Sequence, residues 1–221
     1  MNSKLATLSL FELKRSVFST KTWINNAIFL LINMSIFPFT MKLGSERILD
    51  HLFLSIVMTS MLLGIVLITS HIFDEDANDG SIDQYLTFGV KFYMIYLSKV
   101  IVSAIEFALI TALAFPLAGL FYSVSLDLVW KIWLAVLLST PILASVTVFG
   151  SMLTINLHKN SAVSVLLMFP LLISALIILS LAAGKIIDTA SFTASWPYLE
   201  MNIGLGLLII PLLCWLSKHL H

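Results

Sequence analysis

The chain has 221 residues, 59% of them hydrophobic and only 11% charged, with a mean hydropathy of +1.03 and a formal net charge of zero. A soluble domain carries about a quarter of its residues as charges, so this composition excludes a soluble globule and indicates an integral membrane protein. Six apolar runs are long enough to cross a bilayer, since a hydrocarbon core about 30 Å thick needs about 20 residues of helix. They are also continuously apolar for far longer than the roughly ten-residue alternating segments of a barrel strand. The expected fold is therefore all-α, a polytopic membrane protein with six transmembrane helices in one domain spanning residues 1–221.

Residues 1–22 precede the first run. Ala6, Leu10, Leu13 and Val17 recur at helical spacing with Lys4, Glu12 and Arg15 roughly opposite, which predicts a helix along the membrane surface. Leu8, Phe11 and Phe18 fall off that stripe, leaving open an ordinary basic flank that orients the first span. The first span is placed near Ile24 to Met41; it follows a charged segment of more than twenty residues and is too long for an h-region, so no cleavable signal peptide is expected. The second is placed near Leu52 to Phe73.

Between the second and third spans lies an acidic, turn-rich insert, residues 73 to 85, holding five of the chain's twelve carboxylates within ten residues. Such a stretch belongs in water. Ser81 and Gln84 have the spacing of a capping box, Asp79 and Asp83 suit a helix N-terminus, and Gly89 offers a left-handed stop, which together predict a short helix from Ile82 to Phe88. Its apolar residues Ile82, Tyr85, Leu86 and Phe88 suit a groove in another protein, the form of a transporter's coupling helix, or else a fold back onto the membrane surface. Asp74, Asp76 and Asn78 have the alternate spacing of a calcium loop, but Asp79 stands where that loop needs glycine and Tyr85 where it needs glutamate, so calcium is rejected.

The third span is placed near Phe92 to Tyr122, the fourth near Val129 to Leu157, the fifth near Ser161 to Ala183 and the sixth near Ile203 to Ser217. The third and fourth are long enough to tilt or to run on as surface helix. Glu106 stands on the third span roughly 10 Å inward from Lys99, where an acid costs about 2.5 to 3.5 kcal/mol on insertion scales. It is an intramembrane polar candidate, alternatively a protonated acid hydrogen-bonded to a neighbouring span, for instance at Asn33. A polar outer segment from Gly184 to Asn202 carries Trp196 but no histidine.

Counting Lys and Arg with the N-terminus inside gives eight inner residues (Lys4, Lys14, Arg15, Lys21, Lys91, Lys99, Lys159, Lys218) and four outer ones (Lys42, Arg47, Lys131, Lys185). Both termini and the acidic insert are thus predicted to face the cytoplasm. No nucleotide-binding loop is present, so any ATP use belongs to a partner. The single cysteine, Cys214, excludes an internal disulfide, a multi-Cys zinc site and an iron–sulfur cluster. Neither a cofactor nor a metal is assigned: His51 beside Asp50 reads as a polar span flank, His71 and His158 as inner span ends, and His219 and His221 as tail. An intramembrane enzyme would need converging acids, a Ser–His or Cys–His set or an H-E-x-x-H helix, and none is seen; no catalytic residue is expected.

In the insert, Phe73, Asp76, Asp79, Gly80, Ser81, Ile82 and Asp83 follow the pattern F-x-x-D-x-x-D-G-[ST]-[LI]-[ED], and in this the chain resembles the haem exporter protein B (CcmB) family, the membrane subunit of the ABC-type system of cytochrome c maturation. Lys99-Val100, Phe37-Pro38, Thr140-Pro141 and Pro170 match as well, and the resemblance covers nearly the whole chain. It departs at His71, where the family commonly has arginine, at Met58 for a tryptophan, at Ser174 for a proline, and at Phe88-Gly89-Val90-Lys91 for a proline-rich stretch.

The resemblance implies a permease subunit in the bacterial cytoplasmic (inner) membrane. It implies as partners a cytosolic ABC ATPase subunit, a haem-handling membrane protein and a periplasmic haem chaperone, with haem handled by the complex and ATP by the ATPase. Two six-helix copies per transporter is the expectation for ABC half-permeases, and no nucleic-acid partner is expected. On this reading Asp76 and Asp79 fix the acidic turn, Gly80 permits its backbone, Ser81 and Gln84 cap the helix, and Ile82, Tyr85 and Leu86 contact the ATPase, with Phe73 and Asp83 completing the coupling motif. The alternatives are the permease half of another ABC exporter and a stand-alone secondary transporter, although the latter should show inverted repeats and several midplane polar groups.

Overall fold

In the bilayer only structures that satisfy every backbone N–H and C=O internally can span, and this chain answers with helices. The computed structural model describes residues 20–40, 46–69, 72–73, 76, 79–156 and 161–217, together with Thr7, Ser9 and Glu12 of the preceding segment. Its elements are α1 (Thr20–Thr40), α2 (Glu46–Thr69), the short α3 (Ser81–Thr87), α4 (Phe92–Phe121), α5 (Leu126–Asn156), α6 (Ser161–Thr189), a single 3₁₀ turn (Thr193–Ser195) and α7 (Trp196–Ser217). No strand occurs among the described residues. The surface stripe of Ala6, Leu10, Leu13 and Val17 lies outside them.

Each of the six apolar runs is a helix. Among the described residues, four stretches are long and apolar enough to cross a membrane: Phe92–Phe121, Leu126–Leu153, Met168–Thr189 and Thr193–Ser217. The described apolar parts of α1 and α2, Ile24–Ile36 and His51–Leu67, are shorter.

The polar segment expected from Gly184 to Asn202 is a different object from the loop that its composition suggests. Helix α6 runs on to Thr189 and α7 begins at Trp196, so residues 190–195 alone connect them. Pro197 sits in the first turn of α7, where its missing N–H has no helical partner to lose. Asn202 is buried in the bundle, donating from Nδ2 to Ser139 Oγ at 2.8 Å and to the Ala175 carbonyl at 3.4 Å. One amide thereby joins α7 to both α5 and α6.

Helix α5 is the hub, packed against α2, α4, α6 and α7. Ile142 to Val148, two successive turns, are buried on every side, as a helix that is apolar all round requires. Helix α7 is the least covered of the four long spans and turns Leu207, Leu208, Leu212 and Trp215 outward. Helix α1 lies against α2 and α4, and the Tyr122 hydroxyl at the end of α4 donates to the Met34 carbonyl of α1 at 3.0 Å. Phe53 of α2 meets Phe115 and Tyr122 edge-on, closing that end of the bundle.

Proline interrupts four of these helices, and α5 shows how one is accommodated. Pro141 cannot donate to the Leu137 carbonyl four residues back; the Thr140 hydroxyl does so instead, at 2.7 Å. Thr140→Val keeps the shape and removes that donor, so the detergent-solubilised protein is expected to lose roughly 1 kcal/mol of stability, whereas Thr140→Ser should stay nearer the wild type. Thermal unfolding of the three proteins side by side measures this.

Candidate functional site

Helix α3 begins one residue earlier than the capping-box reading requires. Gly80 is the residue before it, in the left-handed region at φ 67°, and its carbonyl accepts from the Gln84 N–H at 3.2 Å. Ser81 is therefore the first helical residue, and neither Ser81 nor Gln84 makes a side-chain capping bond; the predicted box is corrected. With Gly80 at the boundary, the residue three positions on is Asp83, an acid by sequence in the first turn of the helix. Gly80 does permit the backbone, as expected.

The stop is where the sequence placed it. Gly89 has φ 72°, its N–H donates to the Leu86 carbonyl at 2.9 Å, and the Val90 N–H donates to the Tyr85 carbonyl at 3.0 Å. These two bonds form a Schellman motif, which satisfies the last carbonyls and turns the chain sharply toward α4. Helix α3 is thus a seven-residue element fixed by left-handed glycines at both ends.

Its two faces differ. Ile82 is buried, and Tyr85 and Leu86, at the i+3 and i+4 positions, are half-buried against the bundle core. Gln84, Thr87 and Phe88 face outward with Asp79 just ahead of them, and Phe88 is 77% exposed. Ile82, Tyr85 and Leu86, the residues expected to contact an ATPase, are thus turned toward the bundle, and of the four apolar residues only Phe88 is fully presented. Phe73 is buried at 1% exposure. The side chain of Asp83 lies outside the described residues, as do residues 74, 75, 77 and 78.

Asp76 does something that motif spacing does not suggest. It is buried, and its Oδ2 lies 2.6 Å from the ammonium of Lys99, two turns into α4. The same ammonium lies 2.8 Å from Glu12 Oε2, and the Tyr85 hydroxyl donates to Glu12 Oε1 at 3.0 Å. The Phe73 ring walls the group, its centroid 5.7 Å from Lys99 Nζ, within cation–π range. Glu12 was expected on the polar face of a surface helix; it is instead 3% exposed, because a buried lysine needs a counter-charge more than a carboxylate needs water. By spacing alone Lys99 is an inner span flank. The available signal was its position eight residues into an apolar run, where a charge needs a partner.

Glu106 stands seven residues beyond Lys99, on the same side of α4 and roughly 10 Å deeper. It is half-buried and makes no hydrogen bond among the described residues, Asn33 included. At the other end of the bundle His51 Nε2 lies 3.4 Å from Asp188 Oδ1 of α6, both side chains about half exposed. His71, His158, His219 and His221 lie outside the described residues, and Cys214 is half-buried. Among the described residues no three His, Cys, Asp or Glu side chains converge as a metal site would require.

Comparison with known proteins gives a consistent relationship. A family model described as CcmB protein matches residues 4–214. The chain is similar to heme exporter protein B of Haemophilus influenzae, with 29% identity over 170 residues and 76% of each chain covered. It is similar also to heme exporter protein B of Pseudomonas aeruginosa, with 28% identity over 155 residues, 70% of this chain and 69% of that one.

Gly89 has open space where a Cβ would stand, so its substitution isolates the backbone cost. Gly89→Ala is expected to destabilise the end of α3 by about 1 kcal/mol, and Gly89→Asn by less, because a left-handed conformation is unfavourable for a residue with Cβ and least so for asparagine. Faster amide hydrogen exchange at Val90, with exchange in α5 unchanged, would register it.

Proposed function

The chain belongs to the CcmB family, and on that premise we propose that it is the membrane subunit of an ABC-type haem export and haem-chaperone release complex required for c-type cytochrome biogenesis. It spans the bacterial inner membrane six times, both termini and α3 face the cytoplasm, and a separate cytosolic ATPase hydrolyses the ATP. The observation that carries this reading is α3 itself: a short helix held by left-handed glycines between two long spans, anchored inward by Ile82, Tyr85 and Leu86 and presenting Asp79, Gln84, Thr87 and Phe88 outward.

A seven-residue helix is too short to be stable alone, so its shape is imposed by caps and by packing on the bundle. That makes it a rigid projection rather than a loose loop. An exposed phenylalanine beside an acidic residue is the kind of anchor that fills an apolar pocket in a partner with a basic rim. The inward face is the other half of the device: displacement of the docked surface is passed to the spans through Ile82, Tyr85 and Leu86, with Phe73, Asp76, Gly80, Ser81 and Asp83 shaping the approach.

The subunit performs no covalent chemistry of its own in this account. Force, not catalysis, is its product. Haem is the cargo of the complex, handled by a membrane partner and passed to a periplasmic chaperone. Two copies of the subunit would make the twelve-helix permease that ABC half-permeases form.

A mild-detergent pull-down of the tagged chain tests the proposal. An ABC ATPase and a haem-handling membrane protein are expected to co-purify, and a combined Asp79→Lys, Phe88→Ala variant should retain roughly tenfold less ATPase while still inserting in the membrane. An ATPase that stays bound to the variant removes α3 as the docking surface, and no ATPase with the wild type would favour a stand-alone secondary transporter.

A further inference from the structure

We propose that Lys99 is the positioning residue that ties α3 to the spans: its ammonium, held between Glu12 and Asp76 and linked to α3 through the Tyr85 hydroxyl, makes Glu12, Asp76 and α3 move with α4 as one unit. The inference rests on α3 being the ATPase-docking element.

Helix α3 reaches α4 along the chain only through residues 88–91, which include the left-handed Gly89. Four residues around a glycine turn transmit displacement poorly, because a few backbone dihedrals can absorb it. The ionic node supplies a second attachment, and it sits further along the lever: Lys99 lies two turns into α4. Asp76 lies five residues ahead of α3, and Tyr85 lies within it. Both are thereby joined to one ammonium, directly or through Glu12, at 2.6, 2.8 and 3.0 Å.

The charge balance suits a mechanical role better than a stabilising one. Two buried carboxylates share one cation, and desolvating three charges offsets most of what their attraction gains. Buried ionic groups of this kind are best attested as devices that fix register between elements. Glu12 and Asp76 also repel each other, so displacement of the lysine from either sets the remaining elements apart. The node is thus stiff when closed and opens as a whole.

The test uses the complete complex, assayed for retained ATPase, for ATP hydrolysis and for the yield of holocytochrome c in cells. Lys99→Met and Glu12→Gln are compared with Lys99→Arg. Glu12→Gln leaves an electroneutral Lys99–Asp76 pair, so it does not depend on tolerating unpaired buried charge; its amide still accepts from Tyr85 but no longer attracts Lys99. Both variants are expected to keep ATPase binding and hydrolysis within about twofold while holocytochrome c falls about tenfold, the scale of a coupling free energy, and Lys99→Arg should restore more than half of it.

Hydrolysis retained without cytochrome yield is uncoupling, which a merely destabilised protein would not show. Wild-type yield in Glu12→Gln overturns the inference, as does loss of ATPase in step with yield. If Lys99→Met fails to accumulate, Glu12→Gln decides alone. An ATPase absent from the wild-type complex would instead overturn the docking reading on which this one rests.

Discussion

A polar group inside hydrocarbon has no water to fall back on, and every specific feature of this bundle follows from where the chain finds substitutes. Unsatisfied backbone groups cost several kcal/mol each in that medium, about as much as a small domain's margin of stability. Thr140 covers for Pro141, Asn202 bridges α7 to Ser139 and to the Ala175 carbonyl, and the buried Tyr96 hydroxyl rests 2.6 Å from Ser145 Oγ. Because the apolar surfaces themselves gain little by leaving lipid, such bonds and close packing choose which helices are neighbours. At Gly150 of α5 a Cβ would meet Met168 of α6, so only a residue without a side chain lets those two helices approach as they do.

The end of the bundle that carries α3 applies the same rule to charge. A lysine two turns inside α4 is tolerated because two acids and an aromatic ring enclose it. The acids come from segments that would otherwise be independent of α4, so satisfying one side chain organises three pieces of chain. Helix α3 profits from this: its hydrogen-bonded Tyr85 and buried Ile82 hold it, while backbone hydrogen bonds around Gly80 and Gly89 close its termini. The outward face is left to Asp79, Gln84, Thr87 and Phe88, and Phe88 is the large apolar side chain there that the bundle does not cover.

Glu106 stands apart from this pattern. It continues the line from Lys99 deeper along α4, and no side chain among the described residues bonds to it. An intramembrane acid is a functional candidate by default, and Glu106 lies about two turns beyond the ionic node.

The amino-acid sequence alone determined the class and much of the layout. Continuous apolar length specifies helix in a bilayer, and the acidic motif Phe73 to Asp83 specifies the family, because residue types in a short window carry both signals. It also located the stop of α3, since Gly89 is the residue that a left-handed turn favours there. The start of α3 was missed by one residue because Ser81 and Gly80 are both competent helix boundaries, and backbone geometry chose the glycine. The polar stretch before Ile203 read as loop because Glu200 and Asn202 are hydrophilic, although Asn202 is satisfied by helices α5 and α6, which no local window contains. Lys99, Asp76 and Glu12 are the furthest case: they are scattered over 88 positions of sequence, each unremarkable in its own neighbourhood, and only the tertiary structure brings their charges within hydrogen-bond range. Periodicity and motifs describe a residue's own element; pairing between elements is set by three-dimensional proximity, and that was decided by the tertiary structure.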